Sequence, residues 1–164
     1  MTTQVGEMLE ATEGVTTLGR ALRTELGLLA ELKAQLVEQR AACAADDTLA
    51  LEAVVQQISR TLFTLREARK QRGLLLEMVT GEPGVALADA GELLPALDRT
   101  GFRALCGELH AGAVAANREL LINQAAIRRA IESGEQFLHH LLTAPGPTSD
   151  AEPAQCGVLF NQRA

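Results

Sequence analysis

The chain has 164 residues, 47% of them apolar, and 21 acidic against 15 basic side chains give it a formal net charge of −6 at neutral pH. That length suits one domain with a core of its own. The acidic balance argues against nucleic acid or an anionic membrane as the main partner, because both need a basic face, and no apolar run is long enough to span a bilayer, so no membrane insertion is expected. With no Trp, no Tyr and four Phe, the stacking platforms of single-stranded nucleic acid binders are missing as well.

Met8, Val15, Leu22, Leu29, Leu36 and Cys43 fall on one seven-residue step, which only an α-helix brings onto a single face. The spacing predicts a first helix over residues 3–44. Gly6, Gly14, Gly19 and Gly27 each cost it up to ~1 kcal/mol relative to alanine, so its N-terminal third is expected to fray. Residues 1–13 carry Glu7, Glu10 and Glu13 and no basic stretch ahead of an apolar block, so no secretory signal is expected and the expected location is the cytoplasm. Asp46 and Asp47 are suited to cap a second helix after a tight reversal at 44–47; a helix continuing through Ala45 is the rival reading. The second stripe, Leu51, Ile58, Leu65, Arg72 and Val79, ends at Thr80-Gly81-Glu82-Pro83-Gly84, a left-handed stop followed by a residue that cannot continue a helix.

Asp89-Ala90-Gly91-Glu92 has the spacing of a capping box and predicts a short helix through Leu93, Leu94 and Leu97. Thr100-Gly101 then opens a third long helix that reaches residue 142 or 143 on the stripe Phe102, Leu109, Ala116, Asn123, Ala130 and Phe137. The five prolines, at 83, 95, 145, 147 and 153, all lie outside the striped segments. Residues 144–164 are expected to be a flexible tail whose Val158, Leu159 and Phe160 either dock elsewhere or fold back on the bundle. The predicted fold class is all-α: an antiparallel bundle of three long coiled-coil-like helices plus one short helix over residues 1–143, with the tail at 144–164.

Faults in the stripes are the candidate functional features. Arg69 and Arg72 either lay their stems over the core with the guanidinium in water, or meet an acid of a partner helix or Glu135 across the bundle. Asn123 is either a register device or a partner contact. Ala113, Ala116, Ala130 and Gly134 are small enough to admit another helix closely. An off-seam stripe, Val114, Leu121, Ile131, Leu138 and Leu142, widens the apolar face of the third long helix. Either the first helix or the short one covers it, or it is an open groove for a client helix.

Chemistry has little foothold. Of the three histidines, His139 stands four residues after Glu135 and His110 two after Glu108, so the Glu-x-x-His signature of a di-metal bundle is absent. GxSxG, Walker-type and HExxH motifs are absent too. Cys43, Cys106 and Cys156 are odd in number and widely spaced, as for reduced structural thiols. No catalytic, cofactor or metal site is expected.

Glu38-Gln39-Arg40, Asp46-Asp47, Leu49 and Leu51, then Leu62, Leu65, Arg69, Arg72 and Leu74-Leu75-Leu76, resemble the first two helices of FlgN-type flagellar type III export chaperones. Asn117-Arg118-Glu119-Leu120-Leu121-Ile122-Asn123 is similar to that family's asparagine-leucine stretch opening the last long helix. The resemblance covers residues 18–143. It departs in the tail: the family's tyrosine shortly before a glycine is missing, with Cys156 near its place and Gly157 in the glycine's. The resemblance implies a non-enzymatic cytosolic protein that holds the C-terminal helical segments of hook-associated proteins and delivers them to the export gate. Its client face would then be Val114, Leu121, Asn123, Ile131, Leu138 and Leu142, with Arg69, Arg72 and Val158, Leu159 and Phe160 as secondary contacts. The chain would be a monomer or weak homodimer; a coiled-coil adaptor or a structural homo-oligomer is the alternative.

Overall fold

The computed structural model describes the backbone of residues 2–94 and 99–143 and the side chains of 13–94 and 99–143. Among these, the chain forms α1 (Thr2–Ala44), α2 (Thr48–Thr80), α3 (Leu87–Leu93) and α4 (Arg99–Thr143), with no strand. It divides into two compact units, Met1–Arg128 and Arg129–Ala164. The tail residues 144–164, with Val158, Leu159 and Phe160, lie outside the described residues, as does Leu97. So do the side chains of residues 1–12, on which most of the expected fraying falls.

In the first unit α1 is the shared partner. It packs against α2 and α4, and the heptad step supplies the reason: Val15, Leu22, Leu29 and Leu36 are buried, as are Leu18 and Leu32 three residues along. Two rows three and four residues apart form the broad stripe that a helix with two neighbours needs. Leu18, Leu22, Leu36 and Leu94 are the largest fully buried side chains, and burying each contributes on the order of 1.5–3 kcal/mol. The helices alternate in direction. α2 runs antiparallel to α1, so that a Cβ on Gly14 would lie 3.0 Å from Val79 near one end while Gln35 meets Thr61 further along. α4 runs parallel to α1, with Gly112 against Leu26 and Glu119 against Arg40.

The turns follow their residues. After a reversal at Ala45 and Asp46, Asp47 Oδ1 accepts from the backbone N–H of Ala50 at 3.0 Å and caps α2. A helix continuing through Ala45 is not seen: Asp46 adopts φ 56°, a left-handed conformation that aspartate tolerates better than most residues. Gly81, at φ 72°, closes α2 by donating its N–H to Glu77 O at 2.9 Å.

The short helix differs from expectation. It starts at Leu87 and ends at Leu93, so Asp89 lies within the first turn and the capping box does not form; the N-cap, Ala86, makes no side-chain bond. Starting early places Ala90 and Gly91 in the core, where small residues let α3 lie close to Phe102 and Arg103 of α4. Arg99 supplies the C-terminal cap instead, donating to Leu94 O at 2.8 Å and Glu92 O at 3.0 Å.

Gly112 sets the spacing of α1 and α4, since a Cβ there would approach Leu26 Cδ1 to 2.9 Å and Leu29 Cδ1 to 3.7 Å. Gly112→Leu should therefore lower stability by about 1–3 kcal/mol through overpacking, read as a drop in melting temperature. Asp47→Ala should cost about 1 kcal/mol through loss of the cap, with the helical circular dichroism signal retained below the transition. An unchanged midpoint for either variant contradicts its assignment.

Candidate functional site

A belt of polar residues crosses the core of the first unit. Glu25 projects from α1 with a side chain only 3% exposed. Arg69 Nε donates to its Oε1 at 3.2 Å and Arg72 Nη1 to its Oε2 at 2.6 Å. Two α2 guanidinium groups thus share one α1 carboxylate. Of the two expectations for Arg69 and Arg72, the structure replaces Glu135 with Glu25 as the acid they meet, and it does so inside this chain. Arg72 is the more enclosed of the pair, and Arg69 keeps about half of its side chain in water.

Further along α1, Gln35 Nε2 donates to Thr61 Oγ1 at 3.0 Å and to Glu31 Oε1 at 2.9 Å, and Thr61 Oγ1 donates to Glu31 Oε1 at 3.1 Å. On the α4 side, Arg40 Nη2 meets Glu119 Oε2 at 2.7 Å. Asn123 is 2% exposed, and its amide donates to Gln39 Oε1. In the free chain Asn123 is thus buried between α4 and α1, the setting of a register device, and it does not stand on an exposed face. Gln35 Oε1 and Asn123 Oδ1 are buried without a hydrogen-bond partner.

The seam residues of α4 are buried as far as Asn123. In the first unit, Val114 and Leu121 of the off-seam stripe stand open, Leu121 at 57% exposure, and Leu120 and Ile122 beside them are exposed too. Neither α1 nor α3 covers that part of the stripe.

In the second unit, every described side chain of residues 129–143 is exposed. At 100° per residue, Ala130, Ile131, Gly134, Phe137, Leu138, Leu141 and Leu142 fall on one side of the helix. Glu132, Ser133, Glu135, Gln136, His139 and His140 fall on the other. Phe137 is 64% and Leu142 84% exposed. Ala130 and Phe137, seam positions by spacing, are therefore surface residues, and the small residues Ala130 and Gly134 lie on this open face.

Among the described residues, no group of three or more His, Cys, Asp or Glu could hold a metal ion, and no described helix is long and apolar enough to cross a membrane. Burial pushes the Cys106 thiol up, and the Arg72 charge only partly opposes it, so the thiol is not activated as a nucleophile would be.

Glu25, Gln35, Gln39, Thr61 and Arg40 carry the polar belt, and the seven-residue stripe does not include them. A signal for two of them was available. The companion row three residues along α1 reads Leu18, Glu25, Leu32, Gln39, and a carboxylate in such a row must find a cation.

No curated protein and no solved structure matches the chain. The family model described as FlgN protein matches residues 8–151, a span that takes in all of α2, α3 and α4 and most of α1. A match over most of the chain leads to one conclusion: the chain belongs to the FlgN family of flagellar export chaperones.

Proposed function

We propose that the protein is a cytoplasmic chaperone for hook-associated, hook–filament junction proteins. It binds their C-terminal helical segments, prevents premature aggregation and delivers them to the export gate. One observation carries the reading within the family: the end of α4 is an amphipathic helix whose apolar side none of the described residues covers. Ile131, Leu138 and Leu142 form the client face there, and Val114 and Leu121 provide an exposed apolar strip on the first unit. An amphipathic client helix has the matching need, because its own apolar stripe aggregates if left in water. Burial of apolar area at about 25 cal/mol per Å² supplies the attraction. Only part of it remains as affinity after the losses of association, which suits a hold that must later be released. The reading requires no cofactor, metal or catalytic residue. Arg69, Arg72, Val158, Leu159 and Phe160 provide secondary contacts to the client.

The test is a double substitution, Leu121→Asp with Leu138→Asp, measured against a purified hook-associated protein. Both side chains are exposed, so the melting temperature should stay within the small range of surface changes. Affinity should fall about a hundredfold or more, because two carboxylates would be buried without partners. A folded variant with normal affinity places the client elsewhere. A light-scattering mass shows whether the face is free: a monomer agrees with this reading, and a tight dimer that Leu138→Asp dissolves would assign the face to a second copy of the chain.

A further inference from the structure

The Glu25–Arg69–Arg72 cluster borders an open cavity of about 320 Å³ in the first unit. The cavity lies between all four helices, with Leu29 from α1, Leu87 from α3 and Leu109 from α4 in its lining. Among the described residues of the lining Glu25 is the one acid, and it faces two arginines there. One carboxylate cannot neutralise two guanidinium groups, so the cluster keeps a net charge of +1 inside a protein whose formal charge is −6. The donors are also unevenly used. Arg69 gives Glu25 only its Nε, and Arg72 gives it only Nη1. Both nitrogens at the tip of Arg69, and Nε and Nη2 of Arg72, find no protein acceptor among the described residues.

We propose that this cavity is a binding site for a carboxylate carried on a short apolar body, such as an aspartate or glutamate side chain presented by a partner protein between apolar residues. The guanidinium tips of Arg69 and Arg72 take the carboxylate in charge-assisted hydrogen bonds. Leu29, Leu87 and Leu109 take the apolar part. A partly enclosed arginine such as Arg72 gains more from an added anion than a fully solvated one, because Coulomb attraction strengthens as water is excluded. The volume admits a ligand at the small end of the usual range, so the site fits one side chain or a small carboxylic acid and not a large cofactor. Glu25 sets the strength of the site: it positions both arginines and cancels half of their charge, so binding is weak and reversible. None of these residues lies on the exposed strip of α4, so the site stands or falls independently of the client face.

The test is an NMR titration of the full-length protein, observing arginine Nε–H groups and leucine methyls, with butanoate and with butanamide as its uncharged counterpart. Butanoate should shift Arg69, Arg72, Leu29, Leu87 and Leu109 saturably, and butanamide should bind at least about tenfold more weakly. Arg69→Gln, at a half-exposed position that leaves the Arg72–Glu25 pair intact, should weaken butanoate about tenfold, and Glu25→Gln should tighten it about tenfold by removing the competing carboxylate. No saturable shift, equal binding of the amide, or unchanged or weaker binding by a folded Glu25→Gln variant overturns the proposal. A leucine-flanked glutamate peptide, compared with its glutamine counterpart, separates the sources. Binding at least about tenfold tighter than butanoate assigns the site to a protein side chain, and binding no tighter assigns it to a free small carboxylic acid.

Discussion

Everything in the first unit depends on α1 serving two neighbours at once. A helix with one partner needs one narrow seam, whereas α1 must present a stripe to α2 and another to α4 along the same turns. Its heptad step with a companion row three residues on meets that demand, and the fully buried Leu18, Leu22 and Leu36 mark the shared line. Close approach at Gly14 and Gly112 follows from the same demand, since two neighbours can crowd one helix only where their contacts are small.

The polar belt answers a different difficulty. Apolar heptads alone leave helices free to slide by one repeat. Glu25 with its two arginines, Gln35 with Thr61, and Asn123 with Gln39 each remove that freedom, because a shifted register would strand a buried polar group at a cost of about 1–3 kcal/mol or more. Glu25 is the most demanding of these, as breaking a buried ion pair leaves an uncompensated charge. A bundle held in one register keeps α4 in one rotational setting up to Asn123, and with it the direction in which Val114 and Leu121 point.

Much of this architecture was legible from residue spacing. The stripes located the three long helices, and Asp47 and Gly81 marked two of their ends, because period and capping are local properties of the chain. The short helix starts earlier than the capping-box pattern for a tertiary reason: Ala90 and Gly91 are buried, with Gly91 close to Phe102 and Arg103 of α4, and Arg99 caps the C-terminal end of the helix. The acid that pairs with Arg69 and Arg72 was marked only by its place in the companion row of α1, Leu18, Glu25, Leu32 and Gln39, which calls for a cation without saying which helix supplies it. The off-seam stripe of α4 was visible as a pattern, but spacing alone left two readings open, covered or exposed. Ala130 and Phe137 continue the seam in spacing yet stand in water, which shows that a heptad pattern reports capacity for a partner and not the partner's presence.

On the proposed reading an export client lies on the apolar side of residues 129–143, which none of the described residues covers. The most direct measurement is site-specific photo-crosslinking to a purified hook-associated protein, with the photoreactive side chain at Leu138 on the apolar side or at Gln136 on the polar side of the same turn. Crosslinking to a helical segment of the client should be efficient from position 138 and weak from position 136. Equal crosslinking from both positions, or a crosslink from 136 alone, would contradict that reading.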